Sequence, residues 1–268
     1  MIITFLTDFG LQDDFVGTCH GVMKRIAPGI EIIDLTHGVR PGRILQGALT
    51  LANSLPYMPA GVHLAVVDPG VGGGRRPLAL RDAEGRLYVG PDNGLLLPAV
   101  DRFGGVAEAV ELANPAYALQ SVSRTFHGRD LFSPAAAHLA LGVPLSELGP
   151  PIDPDALVRL DMPEPEVGPA RIRATVLGVD RFGNVALNLT REHLDQAGIV
   201  PGTQVELTSR GDRYYAVAAR TFSDARPGDL IVYEDSYRSL AVAVAQGSAA
   251  ALLAVEEGSE LLIQVDAP

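Results

Sequence analysis

The first half of the chain alternates short, β-rich apolar runs with amphipathic helical patterns. Strands are predicted over residues 2–6, 32–35, 62–67, 78–81 and 87–89. Helices are predicted over residues 15–26, 44–55 and 131–141. Because strands joined by crossover helices pair in parallel, this order predicts a layered α/β domain with a mainly parallel sheet.

A proline-rich, acidic segment follows this domain and interrupts regular structure. We expect an N-terminal α/β domain over residues 1–150, a linker over 151–169 and a smaller β-rich domain over 170–268. Short strands are predicted there over residues 171–179, 185–189, 205–208, 214–219, 230–233 and 261–265. Short strands parted by turns are typical of a small β-barrel or sandwich, so the fold class is α/β with a β-barrel-like C-terminal domain.

Composition narrows the possible partners and location. Hydrophobic residues make up 47% of the 268 residues, and the formal net charge is -11 without a basic cluster. Nucleic-acid binding is therefore disfavoured, whereas a cationic small molecule is not repelled. The single cysteine, Cys19, excludes an internal disulfide, no basic leader is present, and no apolar run approaches the roughly 20 residues of a membrane helix. We expect a cytoplasmic protein that does not bind membranes.

Acidic residues follow the first strand at the edge where open α/β sheets bind ligands. Asp8 comes directly after this strand, and Asp13 and Asp14 precede the first helix. Such carboxylates can bind a metal ion, cap the following helix, or bind hydroxyl and ammonium groups of a ligand. For one of Asp13 and Asp14, a simple helix cap is as plausible as a role in binding.

A glycine-rich loop follows the strand predicted over residues 62–67. Asp68 lies near its start and Arg75 near its end. It lacks the lysine and hydroxyl residue of a P-loop, so a phosphate cradle is disfavoured. An ion pair that merely pins the turn is as plausible as a catalytic role. His127 lies between turn-forming and charged residues, which favours a site over a core position. The loop at 92–94 is typical of a simple turn.

Taken in order, these loops resemble those of the S-adenosyl-L-methionine hydroxide adenosyltransferases, the water-using relatives of the fluorinase and chlorinase. The matching strings are FLTDFGLQDD at 5–14, VDPGVGGGRR at 67–76, PDNGLL at 91–96, TFHGRD at 125–130, DRFGNV at 180–185 and TFSDA at 221–225. The ordered set spans nearly the whole chain and is highly specific, although no single string is.

The resemblance implies a homotrimer with intersubunit active sites and a role for each matching residue. The hydrolytic branch is marked by an Asp-Arg-His set, here Asp68, Arg75 and His127 as catalytic residues. Arg75 is chosen over Arg76 by motif position alone. The implied substrate-binding residues are Asp8 at the ribose diol, Asp13 and Asp180 near the methionine ammonium, Phe182 and Phe222 beside adenine, Asn184 at the adenine edge, Ser236 and Tyr237 near the carboxylate, and Phe126.

The expected reaction is hydrolysis of S-adenosyl-L-methionine to adenosine and L-methionine by in-line attack of water on the ribose 5' carbon. Asp68 is preferred as proton acceptor with His127 orienting, although the sequence leaves the two roles interchangeable. No metal and no cofactor are implied. The alternatives are an adenosyl-halide synthase and a non-catalytic protein that binds S-adenosyl-L-methionine or adenosine.

Overall fold

A computed structural model describes residues 1–265, apart from the side chain of Phe222. The chain divides into two compact units, Met1–Leu160 and Asp161–Pro268. The first unit contains a six-stranded sheet and the second an eight-stranded one. Within residues 1–265, no helix combines the length and apolar character that crossing a bilayer requires.

The sheet of the first unit is mixed. Its strands are β1 (Ile2–Thr7), β2 (Glu31–Thr36), β3 (Val62–Val66), β4 (Pro77–Asp82), β5 (Leu87–Pro91) and β6 (Val106–Glu111). They lie in the order β2-β1-β3-β5-β4-β6. Strands β2, β1, β3 and β5 pair with their neighbours in parallel, whereas β4 runs antiparallel to both β5 and β6. This confirms the predicted layered domain with a mainly parallel sheet.

Helices cover both faces of this sheet. They are α1 (Phe15–Ile26), α2 (Ile44–Ser54), α3 (Leu97–Asp101) and α4 (Ser133–Ala140). One core cluster joins α1 and α4 to Ile3 and Phe5 of β1, and a second joins α2 and α3 to Leu6. Because successive strand residues point to opposite faces, a central strand must be apolar on both sides, which is why β1 reads as a continuous apolar run.

Three features of this unit differ from the sequence prediction, and one is the short helix α3, which was not predicted. Strand β6 was not predicted; it is an edge strand whose alternating alanine, valine and glutamate give a weak strand signal. The helix predicted over 131–141 is α4 preceded by a π-helical turn, Gly128–Phe132. Pro134 near the start of α4 lacks an N–H, which is tolerated only in a first helical turn.

The second unit is a closed barrel. Its strands are β7 (Glu166–Gly168), β8 (Arg171–Val179), β9 (Val185–Leu187), β10 (Gln204–Ser209), β11 (Asp212–Ala218), β12 (Leu230–Glu234), β13 (Leu240–Val244) and β14 (Glu260–Val265). The ring runs β8-β9-β13-β12-β11-β10-β14 and closes through β14 on β8, with β7 added to β8. Two short helices, α5 (Arg191–Gln196) and α6 (Ala249–Leu253), complete the unit. The β-barrel-like prediction is confirmed. Strand β13 and both helices were not predicted, and β7 lies within the predicted linker.

The segment after Pro150 keeps contact with the first unit before the barrel begins. The backbone N–H of Ile152 donates to the carbonyl of Ala109, and a 3-10 turn follows at Pro154–Ala156. Leu157 is buried in the core on the α2 and α3 face of the sheet. The boundary between the compact units comes three residues later, after Leu160.

Candidate active site

Two adjacent parallel strands bring the first candidate residues to one edge of the sheet. Asp8 comes directly after β1, and Asp68 is separated from the end of β3 by one residue. Strands β1 and β3 pair in parallel. Helix α1 leads from β1 to β2 on one side, whereas α2 leads back to β3 on the other. Strand order therefore reverses between β1 and β3, and the crevice outside such a switch point is where open α/β sheets bind ligands.

Arg75 connects Asp68 to His127. Its Nε donates to Asp68 Oδ1 at 3.0 Å and Oδ2 at 3.1 Å, and its Nη2 donates to Asp68 Oδ2 as well. The same Nη2 lies 2.8 Å from His127 Nδ1. The Arg75 and Asp68 side chains are only 10% and 5% exposed. The ion pair is thus not confined to its own turn, because a residue 52 positions away joins it.

This contact defines the protonation of His127. A guanidinium nitrogen has no lone pair to accept with, so His127 Nδ1 must accept and the ring proton lies on Nε2. Burial lowers the pKa of His127, and the Arg75 charge lowers it further, against the opposing effect of Asp68. His127 is therefore a neutral imidazole at neutral pH with an N–H free to orient a ligand oxygen.

The Asp8 carboxylate is fixed by the backbone of the loop before α2. The N–H of Gly42 donates to Asp8 Oδ2 at 2.8 Å. Burial raises the pKa of Asp8, the hydrogen bond from Gly42 opposes this, and the charge of Asp68 adds to the increase. That coupling places the two carboxylates in one electrostatic environment.

The loop that carries Arg75 depends on a glycine and rests on an aromatic ring. Gly72 has φ +75°, and a Cβ at this position would lie 2.2 Å from the Arg124 carbonyl oxygen. The backbones of the Gly72 loop and the His127 loop can approach only without that side chain. The Arg75 guanidinium carbon lies 5.3 Å from the centre of the Phe132 ring, a cation-π contact that the sequence did not reveal.

The two adjacent arginines of the loop, Arg75 and Arg76, have different hydrogen-bond partners. Arg76 Nε donates to Asp92 Oδ2 at 2.8 Å, and its Nη2 also donates to the Ala156 carbonyl. Asp92 Oδ1 accepts from the backbone N–H of Val158 at 2.9 Å. Arg76 therefore anchors the segment after Pro150, while Arg75 alone joins Asp68 and His127.

Asn93, for which the sequence predicts only a simple turn, supports the loop that carries Asp68. Its side-chain amide donates to the carbonyl of Val67 at 2.8 Å, directly before Asp68. Its Oδ1 accepts from the N–H of Leu95 at 3.2 Å. The available signal was topological: Asn93 follows β5, and β5 pairs in parallel with β3, so both loops emerge at one edge.

Aromatic side chains line the same region. Phe126 meets Phe9 and Phe15 edge to face, with ring centres 5.7 and 5.3 Å apart. Gly128 lies against them, and a Cβ there would be 2.9 Å from Phe9 Cζ. Phe126, predicted to bind substrate, thus belongs to an aromatic cluster that packs against the His127 loop at Gly128.

The acidic residues before α1 remain outside this network. Asp13 is exposed at a bend. Asp14 occupies the N-cap position of α1 but makes no capping hydrogen bond, and its Oδ2 accepts from Thr18 Oγ1 at 3.2 Å. The Asp14 side chain therefore does not cap α1.

In the second unit, Asp180 organises the loop that carries Phe182 and Asn184. Its Oδ1 accepts from the backbone N–H groups of Phe182 and Asn184 at 2.8 and 2.9 Å, and its Oδ2 accepts from the Asn184 side-chain amide at 2.7 Å. The Phe182 ring is exposed beside the Arg181 guanidinium, 5.6 Å from ring centre to Cζ. The loop holds three predicted binding residues together and presents an aromatic face to solvent.

Ser236 and Tyr237 are both exposed in the turn between β12 and β13. Asp235 holds this turn, because its Oδ1 accepts from the N–H groups of Tyr237 and Ser239 at 2.8 and 3.0 Å. The side chain of Phe222 lies outside the described part of the structure; its backbone begins the 3-10 turn Phe222–Asp224.

The Asp68, Arg75 and His127 cluster can hold a small polar molecule and accept a proton from it. It combines a carboxylate and a neutral imidazole that are both hydrogen-bonded to one fixed cation, Arg75. Among the described residues, the histidine and carboxylate group with metal-ligand spacing is a different one, formed by His20, Asp34 and His37 beside β2.

Known proteins are similar to this chain along nearly its whole length. The model of the SAM hydroxide adenosyltransferase N-terminal domain matches residues 3–149, and that of the C-terminal domain matches residues 174–262. The "(R)-S-adenosyl-L-methionine hydrolase" of Salinispora arenicola is 51% identical over 97% of both chains. A fluorinase of an Actinoplanes species is 32% identical over 90% of both chains.

Among solved structures, an uncharacterized conserved protein from Thermotoga maritima superimposes with a TM-score of 0.90 at 37% identity, covering 98% of this chain and 99% of that one. Both domain matches, their order and the full-length similarity agree with the motif resemblance in the sequence. The chain belongs to the SAM hydroxide adenosyltransferase family.

Proposed function

We propose that this protein hydrolyses S-adenosyl-L-methionine to adenosine and L-methionine. The observation that carries the proposal is the meeting of Asp68, Arg75 and His127, drawn from two loops, at the carboxyl edge of the sheet. The 51% identity to a protein named as this hydrolase supports the same activity over almost the whole chain.

The reaction needs a nucleophile in line with the leaving sulfur. A water oxygen forms the new bond to the ribose 5' carbon while the bond from that carbon to the sulfonium breaks, and both electrons of the broken bond stay on sulfur. The leaving group becomes neutral methionine thioether, so no acid is needed to assist its departure. Positioning the water at a near-attack distance of about 3 to 3.5 Å is then the main task of the site.

Asp68 is proposed as the proton acceptor and His127 as the residue that orients the water. Because Arg75 occupies the lone pair of His127 Nδ1, the imidazole offers only its Nε2–H and cannot take a proton there. The Asp68 carboxylate keeps lone pairs beyond those that face Arg75, and it accepts the water proton as the bond forms. The cation of Arg75 stabilises the developing hydroxide character.

The remaining candidate residues are proposed to bind the substrate. Asp8, with its carboxylate fixed by Gly42, suits the ribose hydroxyls. Asp13 and Asp180 are assigned to the ammonium group, and the aromatic and polar side chains complete the pocket: Phe126, Phe182, Asn184, Phe222, Ser236 and Tyr237. The engagement of Asn184 with Asp180 leaves the amide its Oδ1 and one N–H for the adenine edge.

We also propose a homotrimer with intersubunit active sites and a cytoplasmic location. Exposed binding side chains such as Phe182 and Tyr237 support completion of the site by a neighbouring subunit. The single cysteine is buried and unpaired, which suits a reducing compartment. A light-scattering mass three times that of the chain is the expected result, and a monomeric mass would contradict the trimer.

The decisive experiment is to incubate the purified protein with S-adenosyl-L-methionine and separate the products by chromatography. Adenosine and methionine in equal amounts are expected, with one atom of labelled oxygen from the solvent in adenosine. A 5'-halogenated adenosine in chloride or fluoride would favour the adenosyl-halide synthase, and tight binding without products would favour a binding protein. No metal or cofactor takes part in the proposed step, so turnover should persist in excess chelator.

A further inference from the structure

Three side chains that the proposed reaction does not use converge beside β2. His20 lies on α1, Asp34 on β2 and His37 one residue after β2. His20 Nε2 lies 2.9 Å and His37 Nε2 3.1 Å from the same oxygen, Asp34 Oδ1. One ligand atom from each residue lies within 4.8 Å of the other two. Two imidazole nitrogens and one carboxylate oxygen thus lie close enough together to share one ion.

His37 gives this cluster a feature that an ordinary hydrogen-bonded group would not have. Its side chain is only 3% exposed, and its Nε2 makes no hydrogen bond within the part of the chain that the structure describes. The distance to Asp34 is short enough, but the geometry is not that of a hydrogen bond. Because buried polar atoms are nearly always satisfied, an orphaned nitrogen 3.1 Å from a carboxylate oxygen that a second histidine also contacts calls for a partner.

The other ring nitrogen of His37 is held as metal-binding histidines are. His37 Nδ1 lies 2.8 Å from Thr7 Oγ1, which also accepts from the backbone N–H of Phe9 at 3.1 Å. A hydroxyl oxygen has two lone pairs, so Thr7 can accept both bonds. When the proton is on Nδ1, Nε2 keeps an unshared lone pair that can bind an ion. A donor bond from the second nitrogen is the usual outer support of a metal-bound imidazole.

We propose that His20, Asp34 and His37 bind a divalent transition metal ion of the Zn²⁺ class. Two imidazoles and a carboxylate are ligands that Zn²⁺ accepts, with water in the fourth position of a tetrahedral site. His20 and Asp34 are 31% and 42% exposed, which gives an ion and its water a path from solvent. The net charge of -11 adds a general attraction for cations.

A bound ion would brace the loop that carries Asp8. The carbonyl of His37 accepts from the N–H of Gly10 at 2.8 Å, while its ring bonds Thr7, so His37 holds this loop on both sides of Asp8. The ion is therefore assigned a structural role, outside the cluster of Asp68, Arg75 and His127. A hydrogen bond from His20 to Asp34 alone explains two of the three residues but leaves His37 Nε2 without a partner.

The test uses the full chain after treatment with a chelator and removal of the chelator. Titration with Co²⁺ should produce the visible absorption of a low-coordinate cobalt site with one ion per chain, and Zn²⁺ should displace it. Both ions should raise the thermal unfolding midpoint. His20→Gln and Asp34→Asn change partly exposed ligands and should weaken Co²⁺ binding at least about tenfold, the lower range for loss of a supporting group.

His138→Gln is the matched control, since His138 lies on α4 in the same unit and packs against Tyr117 instead of a carboxylate. It should leave the Co²⁺ affinity unchanged. Absence of the cobalt absorption, or equal affinity in His20→Gln and the unchanged protein, would overturn the site and leave adventitious surface binding. The measurement needs no substrate, so it stands or fails separately from the proposed hydrolysis.

Discussion

Arg75 Nη2 donates a hydrogen bond to His127 Nδ1 across 2.8 Å, although the two residues lie 52 positions apart in the chain. A permanent cation beside an imidazole favours the neutral ring, and the same nitrogen of Arg75 also donates to Asp68. One guanidinium therefore sets the tautomer of the histidine and the position of the carboxylate. This division of roles leads to the first two predictions.

Replacing the proposed proton acceptor should stop chemistry without preventing binding. Asp68→Asn keeps the side-chain shape but removes the charge and most of the basicity. Since general-base catalysis contributes about 100-fold or more, kcat should fall by at least about that factor while KM changes little. The assay is the rate of adenosine formation by chromatography at saturating substrate.

Asp101→Asn is the control for Asp68→Asn, because Asp101 is partly exposed and pairs with Arg159 away from the cluster. It should leave kcat unchanged. Turnover of Asp68→Asn at the rate of the unchanged protein would remove Asp68 from the mechanism.

The pH dependence of the reaction should report the lowered pKa of His127. Burial and the Arg75 charge keep this ring neutral at pH values where a free histidine, with a pKa of 6.5, is already half protonated. As pH falls, kcat/KM should decline with a midpoint below 6.5, because a protonated ring is repelled by Arg75. A profile that falls with a midpoint at or above 6.5 would be incompatible with this assignment.

His127→Asn separates orientation from proton transfer. The amide can still donate to a water but lacks the ring geometry, so a loss of about 10- to 100-fold in kcat is expected from misplacement of the nucleophile. Complete loss of binding in a titration with adenosine would instead indicate that the variant disrupts the loop.

The glycine loop offers a paired test of backbone geometry. Gly72→Ala puts a Cβ 2.2 Å from the Arg124 carbonyl at a residue with φ +75°, so the loop carrying Arg75 must move. A loss of about 1–3 kcal/mol in the free energy of unfolding and a lower kcat are expected. Gly74→Ala is the matched control, since a Cβ there meets nothing within 4 Å. Equal stability and activity in the two variants would refute the steric argument.

A buried histidine far from the reaction should govern acid stability. His63 accepts or donates one hydrogen bond with Thr4 at 2.9 Å, and burial lowers its pKa to about 3, with a further contribution from the Arg86 charge. Below about pH 6.5, His63 binds a proton in the unfolded chain but not in the folded chain. The free energy of unfolding should therefore fall with decreasing pH below that value, by about 1.4 kcal/mol per pH unit.

His63→Phe keeps an aromatic ring against Tyr88 but cannot titrate, so its unfolding free energy should depend less steeply on pH. Urea denaturation of both proteins between about pH 7 and pH 5 measures the difference in slope. Parallel curves for the two proteins would show that His63 does not titrate between the folded and unfolded states.

The sequence determined the elements and the family. Its apolar periodicity predicted α1 at the residues where the structure has it, and β1, β2 and β3 to within one or two residues. For the central strands β1 and β3, burial on both faces leaves a continuous apolar run. The ordered motifs named the family before any coordinates. Edge strand β6 was missed because its weak alternation gives little local signal. Barrel strand β13 was missed because a five-residue apolar run without alternation does not distinguish a strand from a helix.

Only the tertiary structure decided which loops meet. Motif position alone favoured Arg75 over Arg76, and in the structure Arg75 joins His127 whereas Arg76 joins Asp92. Asn93 looked like a turn until the pairing of β5 with β3 placed its amide on Val67. His20, Asp34 and His37 carry no motif at all. Proximity between residues far apart in sequence follows from strand order and register, which are set by the burial of the whole core and leave no local pattern in the chain.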